Sequence, residues 1–180
     1  IESARSAGSY AIVLASRPYH NDPLVNHDLP KMLSDMGHSV LPPDAVPGIA
    51  DVDLSASRID IVNNFHQRML ASAVIAADSP ALEYVQLVSF GCGHDAYLSD
   101  EICRLMKERS GKQPLVLKLD ESDVAGPLRI RVRSFIETVD ERRARQAAIE
   151  RAAGESAFVC LPATAARHPL PDPYPVKYVK

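Results

Sequence analysis

The sequence predicts an α/β protein with a doubly wound, mainly parallel four-stranded sheet and helices on both faces. Two observations lead to this fold class. Several apolar runs are continuous rather than alternating, which is typical of strands buried on both faces. Strand-like and helix-like segments also alternate four times along the chain, as in a parallel sheet covered by helices. We expect the strand order 2-1-3-4, the common arrangement in such sheets.

The first strand and the helix that follows it are indicated by residues 10–37. The apolar run "YAIVLAS", residues 10–16, predicts the strand and stops before an Arg-Pro pair. Asp28 is the expected N-cap of the next helix, and Gly37 is its expected end. The segment "HSVLPP", residues 38–43, predicts a short second strand that two prolines terminate.

The middle of the chain predicts a helix, the third strand and a further helix. Residues 57–78 read as a helix with one apolar face, made of Val62, Phe65, Met69 and Ala73. The run "ALEYVQLVSF", residues 81–90, predicts the third strand. A Gly-Cys-Gly turn follows, and we expect the next helix from about Ala96 to Glu108.

The last predicted elements are a fourth strand at residues 113–121 and a long helix at 126–155. Lys118 among leucines suggests that this strand lies near a sheet edge. We therefore expect a flavodoxin-like α/β lobe over residues 1–153. Residues 154–180 are proline-rich and aperiodic, which predicts a linker, an arm or the start of a further domain.

Composition excludes several classes of function. A net charge of −3 gives no reason to expect nucleic acid or an anionic membrane surface as partner. No run approaches the roughly 20 apolar residues that span a bilayer, and the N-terminus does not read as a secretion signal. Cys92, Cys103 and Cys160 form no C-x-x-C pair, so we expect a reducing, cytoplasmic setting. Because the chain starts at Ile1, we expect it to be an excerpt of a longer protein.

The predicted fold collects polar side chains at the carboxyl edge of the sheet, where open parallel sheets bind ligands. Three loops reach this edge, after the first, third and fourth strands. The residues that they carry there are Arg17, His20, Cys92, His94, Asp120 and Glu121.

Cys92 lies between Gly91 and Gly93 in "SFGCGHD", where a strand is predicted to give way to a helix. The free N–H groups and dipole at a helix N-terminus stabilise a thiolate, which can bind metal or attack an electrophile. The glycines would let another group approach closely. The alternative is that they only form the turn around a small, inert thiol.

The sequence excludes three known kinds of site, and it leaves open whether one pair of arginines binds an anion. No arginine follows Cys92 at the spacing of a phosphatase loop, and the glycine-rich loops of dinucleotide and P-loop sites are absent. Arg129 and Arg133 share a face of the last predicted helix and could clamp a phosphate or carboxylate. The alternative for this pair is ordinary solvated charge.

Three segments together resemble a known protein family. They are "RPYHNDPLVNHDLPKMLSDMGHSVLPPD", "VQLVSFGCGHDAYLSDEI" and "LVLKLDESDVAGPLRIRVRSFIETV". In order and spacing they resemble the long fused form of the 2-hydroxyacyl-CoA dehydratase activator family, the acyl-CoA dehydratase activases. The resemblance covers residues 10–139 and concerns the dehydratase-like portion rather than the ATPase portion.

The resemblance implies a part in ATP-driven, low-potential electron transfer through an iron–sulfur cluster, of the 4Fe-4S type. Cys92, flanked by Gly91 and Gly93, would be one cluster ligand, and the remaining ligands would come from other lobes of the parent chain. ATP would bind only in the parent's ATPase portion. The partners implied are a 2-hydroxyacyl-CoA dehydratase and an acyl-CoA, and we expect the excerpt alone to be inactive.

The resemblance also assigns rim or lobe-contact roles to residues outside the cysteine turn. These residues are Arg17, Tyr19, His20, Asp120, Glu121, Arg129 and Arg133. Two alternatives stay open at this point. One is a non-redox module that binds a CoA-type anion or serves as a scaffold, and the other is a free-standing thiol enzyme.

Overall fold

A computed structural model describes residues 1–6, 8–89, 91–119 and 125–156. The chain divides into two units, Ile1–Thr138 and Val139–Lys180. Most of the segment predicted to be a linker or arm, residues 157–180, lies outside the described residues.

The sheet confirms the predicted fold class and strand order. Its strands are β1 (Ala11–Ala15), β2 (Ser39–Leu41), β3 (Leu82–Ser89) and β4 (Leu115–Leu119). They are hydrogen-bonded in the order β2-β1-β3-β4, and all three pairs are parallel. β4 is therefore an edge strand, as Lys118 suggested, and that side chain is exposed.

Six α-helices occur among the described residues, together with short 3-10 turns at Pro18–Asn21, Pro43–Ala45 and Ile49–Asp51. The α-helices are α1 (Glu2–Ser6), α2 (Pro23–Asn26), α3 (Leu29–Asp35), α4 (Asn64–Asp78), α5 (Gly93–Ser110) and α6 (Ala125–Ser156). Asp28 holds the N-cap position of α3 as predicted. Its own φ is +55°, however, and its side chain accepts no capping hydrogen bond.

The beginning of α4 differs from the prediction. The helix starts at Asn64 because Asn63 caps it, accepting a hydrogen bond of 2.9 Å from the backbone N–H of His66. Val62 consequently lies before the helix and is exposed, and Phe65 is 45% exposed. Met69 and Ala73 are buried, so only the C-terminal half of the predicted apolar face packs into the core.

The main core lies between one face of the sheet and helices α4 and α5. Ala11, Val13 and Ala15 of β1 belong to this core and are wholly buried. Tyr84 of β3 is wholly buried there, and its hydroxyl donates a hydrogen bond of 2.7 Å to the Met69 carbonyl. Burial raises the pKa of Tyr84, so its hydroxyl stays protonated.

Lys112 joins the C-terminal end of α4 to the loop before β4. Its Nζ donates to the carbonyls of Ala76, Ser79 and Leu82 at 2.8, 2.6 and 2.7 Å. Two of these carbonyls belong to the C-terminal end of α4, where backbone acceptors lack helical partners and a cation is favourable. The ammonium therefore fixes α4 against the start of β3.

No helix in the described part of the chain is both long and apolar enough to cross a membrane.

Candidate functional site

The carboxyl ends of β1 and β3 place two loops side by side. The two strands are parallel neighbours, with Ala15 opposite Gln86. Arg17 lies two residues after the end of β1, and β3 ends at Ser89, shortly before the glycine–cysteine turn. Residues far apart in sequence therefore meet at this edge of the sheet, as the fold prediction required.

The turn after β3 sets Cys92 at the N-cap of α5, so its predicted place at a helix N-terminus is confirmed. Gly91 has a φ of +73°, a conformation that favours glycine. The backbone of Gly93 has no positive φ, and a Cβ placed there would lie in open space. The Cys92 side chain accepts no hydrogen bond from the helix N–H groups, so the helix terminus alone does not hold the sulfur.

Arg17 contacts the sulfur directly. Its Nη2 lies 3.2 Å from Cys92 Sγ, and its Nε donates a hydrogen bond of 2.8 Å to Asp95 Oδ1. The ion pair between Arg17 Nη2 and Asp95 Oδ1 measures 2.7 Å. Burial by itself lowers the pKa of Arg17, but the hydrogen bond and charge of Asp95 more than offset this, so the pKa is raised. The sulfur therefore faces a permanent cation.

Asp95 anchors this arrangement and was not singled out from the sequence. Its side chain is 3% exposed, and its second oxygen accepts a hydrogen bond of 3.1 Å from the backbone N–H of Ser89. It occupies the third position of α5, where an acidic side chain commonly satisfies free N–H groups. The position of Asp95, three residues after Cys92, was the signal available in the sequence for its role at the start of the helix. It does not reveal the contact with Arg17.

His20 and Tyr19 lie on the β1 side of the group formed by Arg17, Cys92 and Asp95. His20 is buried, and its Nδ1 accepts a hydrogen bond of 3.3 Å from the backbone N–H of Arg17. Neutral His20 therefore carries its proton on Nε2, which lies 3.4 Å from the Ser89 hydroxyl. The hydroxyls of Tyr19 and Ser89 are also hydrogen-bonded to each other. In this tautomer His20 is a donor to Ser89 and not its base.

His66 and His94 form a second group of side chains near Arg17 and Asp95. Their ring centroids are 6.0 Å apart, one on α4 and the other in the first turn of α5. His66 is 4% exposed, and its Nε2 has no hydrogen-bond partner among the described residues. Burial lowers the pKa of His66, and the positive charges of Arg17 and His94 lower it further.

Cys92 and other residues of the first turn of α5 line a pocket of about 580 Å³. Its wall is formed by the start of α5 and by the β3 and β4 residues that face it, including Val88, Val116 and Lys118. Cys103 lines the same pocket. Burial raises the pKa of the Cys103 thiol, and the nearby Asp100 carboxylate raises it further, so its thiolate is disfavoured.

The structure brings together only some of the predicted site residues. Arg17, Tyr19, His20 and Cys92 meet at one edge, whereas Asp120 and Glu121 lie outside the described residues. Arg129 and Arg133 are exposed on α6. In the part of the chain that the structure describes, no group of three or more His, Cys, Asp or Glu side chains could hold a metal ion.

Comparison with known proteins gives one match. Residues 1–46 match the family described as the CoA enzyme activase uncharacterised domain. The matched part contains β1, Arg17 and His20 and ends shortly after β2. No curated protein and no solved structure matches the chain significantly.

The two glycines beside Cys92 should respond differently to alanine. We expect Gly91→Ala to lower the free energy of unfolding by about 1 kcal/mol, because its φ is left-handed. Gly93→Ala should be neutral or stabilise by up to about 0.5 kcal/mol, since alanine favours the helix and has room. Urea unfolding of both variants measures this difference. Equal losses in the two variants would contradict the assigned turn.

Stability should fall as the pH is lowered from 7 to 5. Burial lowers the pKa of both His20 and His66 below the unfolded value of 6.5, so the denatured chain binds protons first. The stabilisation is fully present above pH 6.5 and is lost as the pH falls towards the folded pKa values. Urea unfolding across this range, with NMR titration of both imidazoles, measures the effect. Native midpoints at or above 6.5 would contradict it.

Proposed function

We propose that this chain is a lobe of a long, fused acyl-CoA dehydratase activator-like protein and contributes Cys92 as one thiolate ligand of an iron–sulfur cluster. The observation that carries the proposal is the position of the Cys92 sulfur. It lies at the N-cap of α5, beside the Arg17 guanidinium and on the wall of a pocket. Hydrogen bonds and charge around a ligand sulfur tune the potential of a cluster, and Arg17 is the donor that contacts this sulfur.

The positions of the two described cysteines fit a single ligand of an iron–sulfur cluster, Cys92. Cys92 is half-buried and lines the pocket, so its sulfur can reach a group held by another lobe. Cys103 lies eleven residues further along α5, roughly 16 Å along the helix axis, which is too far for both sulfurs to bind one compact cluster. The remaining thiolates would come from outside the described residues.

Each residue of the site has a defined task in this proposal. When bound, the cluster supplies one-electron transfer at low potential. Gly91 forms the left-handed turn that presents Cys92, and Asp95 holds Arg17 against the sulfur. Tyr19, His20 and Ser89 fix the loop after β1 through their mutual hydrogen bonds.

The similarity of residues 1–46 to the CoA enzyme activase uncharacterised domain supports an activase-like role, and it overlaps the first of the three motifs read from the sequence. The chain contains no glycine-rich phosphate loop, so ATP would act in the parent's ATPase portion. The electron acceptor would be a 2-hydroxyacyl-CoA dehydratase, in a cytoplasmic setting.

A second candidate function is the binding of a CoA-type anion without redox chemistry. Lys118 lines the same pocket as the N-terminal turn of α5, and the two could receive a phosphate together. This function would need no further cysteines, which separates it from the cluster proposal.

The test is anaerobic reconstitution of the parent chain with iron and sulfide, followed by metal analysis and visible absorption. We expect Cys92→Ser to lose most of the bound iron and sulfide. Cys103→Ser is the matched control, since it removes a thiol of the same pocket, and it should load like the wild type. Equal loading of Cys92→Ser and the wild type would overturn the proposal. Binding of CoA by that variant would then favour the second function.

A further inference from the structure

Two buried polar side chains near the carboxyl edge of the sheet lack hydrogen-bond partners among the described residues. His66 is 4% exposed, and its Nε2 has no partner. Gln86 is 0% exposed, and neither its Nε2 nor its Oε1 has one. A buried amide or imidazole without a partner costs free energy, so two such groups at one place indicate a ligand that supplies the missing hydrogen bonds.

The register of β3 and α4 places these two side chains opposite each other. Gln86 lies on the same face of β3 as Tyr84, whose hydroxyl donates to the Met69 carbonyl of α4. α4 is the crossover helix between β2 and β3, so it runs antiparallel to the strands. Two residues further along β3 and one turn back along α4, Gln86 therefore faces the turn that carries His66.

The same place lies between the first turns of two long helices. His66 is the third residue of α4, and its ring centroid is 6.0 Å from that of His94, the second residue of α5. The imidazole of His66 is thus directed from α4 towards the start of α5. Both helices begin at the carboxyl edge of the sheet, where their N-terminal N–H groups and dipoles favour an anion.

The charges around His66 also favour an anion. Burial lowers the pKa of His66, the positive charges of Arg17 and His94 lower it further, and the opposing effect of the Asp95 carboxylate is smaller. The charge of Asp95 is moreover paired with Arg17, and its second oxygen accepts the Ser89 N–H. The electrostatic potential beside His66 is therefore positive.

We infer that the first turns of α4 and α5 together bind a phosphoryl group, with the His66 imidazole and the Gln86 amide as its buried hydrogen-bond partners. A phosphoryl group that retains a proton has oxygens that accept and a hydroxyl that donates, so it can serve both atoms of the amide. A carboxylate can only accept, and it would leave Gln86 Oε1 without a partner. The inference makes no use of the Cys92 thiol and therefore goes beyond the proposed function.

The experiment is calorimetric titration of the full chain with inorganic phosphate near neutral pH, at constant ionic strength set with chloride. We expect saturable binding that is at least roughly ten-fold weaker in His66→Phe and in Gln86→Leu, because each variant removes a buried partner of the anion. Acetate should bind the wild type more weakly than phosphate does.

His38→Phe is the matched control. The Nδ1 atom of His38 is also buried without a hydrogen-bond partner in the described part of the chain, but this residue lies just before β2, at the opposite edge of the sheet. The variant should bind phosphate like the wild type. A loss of affinity in His38→Phe as large as that in His66→Phe would overturn the inference.

Urea unfolding gives a second readout of the same variants. Without phosphate, Gln86→Leu should unfold at a higher urea concentration than the wild type, because an apolar side chain of similar size replaces a buried amide that lacks a partner. Phosphate should raise the midpoint of the wild type and not that of Gln86→Leu. A midpoint that falls in Gln86→Leu, by the same amount with and without phosphate, would assign the amide a structural role and overturn the inference.

One measurement needs no variant, and the remaining outcomes separate this site from the others. In the wild type, phosphate should shift the side-chain nitrogen resonances of His66 and Gln86 in NMR spectra. Unshifted resonances, or stronger binding of acetate than of phosphate, would overturn the inference. Binding that is lost in Lys118→Ala but unchanged in His66→Phe would place the anion in the pocket of the second candidate function and overturn it too. Iron and sulfide loading tests only the cluster proposal, so the two can fail separately.

Discussion

The ion pair between Arg17 and Asp95 is the interaction on which the arrangement of this site depends. It connects the loop after β1 to the first turn of α5, and Asp95 adds a hydrogen bond to the end of β3. An aspartate buried to this degree without a cation would be costly. The fold therefore holds a guanidinium at the carboxyl edge of the sheet, and the same guanidinium contacts the Cys92 sulfur.

Because of this ion pair, the thiol of the glycine–cysteine turn lies next to a cation. Gly91 is needed for the backbone conformation, but a turn alone would leave the thiol as an ordinary side chain. The contact with Arg17 places a cation at the sulfur, which distinguishes Cys92 from Cys103 on the same pocket. A charged donor therefore lies at one thiol, whereas burial and the Asp100 carboxylate disfavour the thiolate of the other.

The sequence was sufficient for the sheet because continuous apolar runs and their alternation with helices depend on local pattern. The order 2-1-3-4 and the N-terminal place of Cys92 followed from that fold and were confirmed. The start of α4 was missed because Asn63, a capping residue, overrides the apolar periodicity of residues 57–62. Asp95 was missed because its role depends on Arg17, which lies 78 positions away in the sequence. A local sequence pattern does not predict a contact over that separation.

The most direct test of this account is a double-mutant cycle on Arg17 and Asp95, using the free energy of unfolding of Arg17→Gln, Asp95→Asn and the double variant. We predict a coupling of about 2 kcal/mol, because the carboxylate is buried. The exposed pair of Arg109 and Asp78, treated in the same way, should couple by less than about 0.5 kcal/mol. A coupling between Arg17 and Asp95 no larger than that of the exposed pair would contradict the claim that this interaction organises the site.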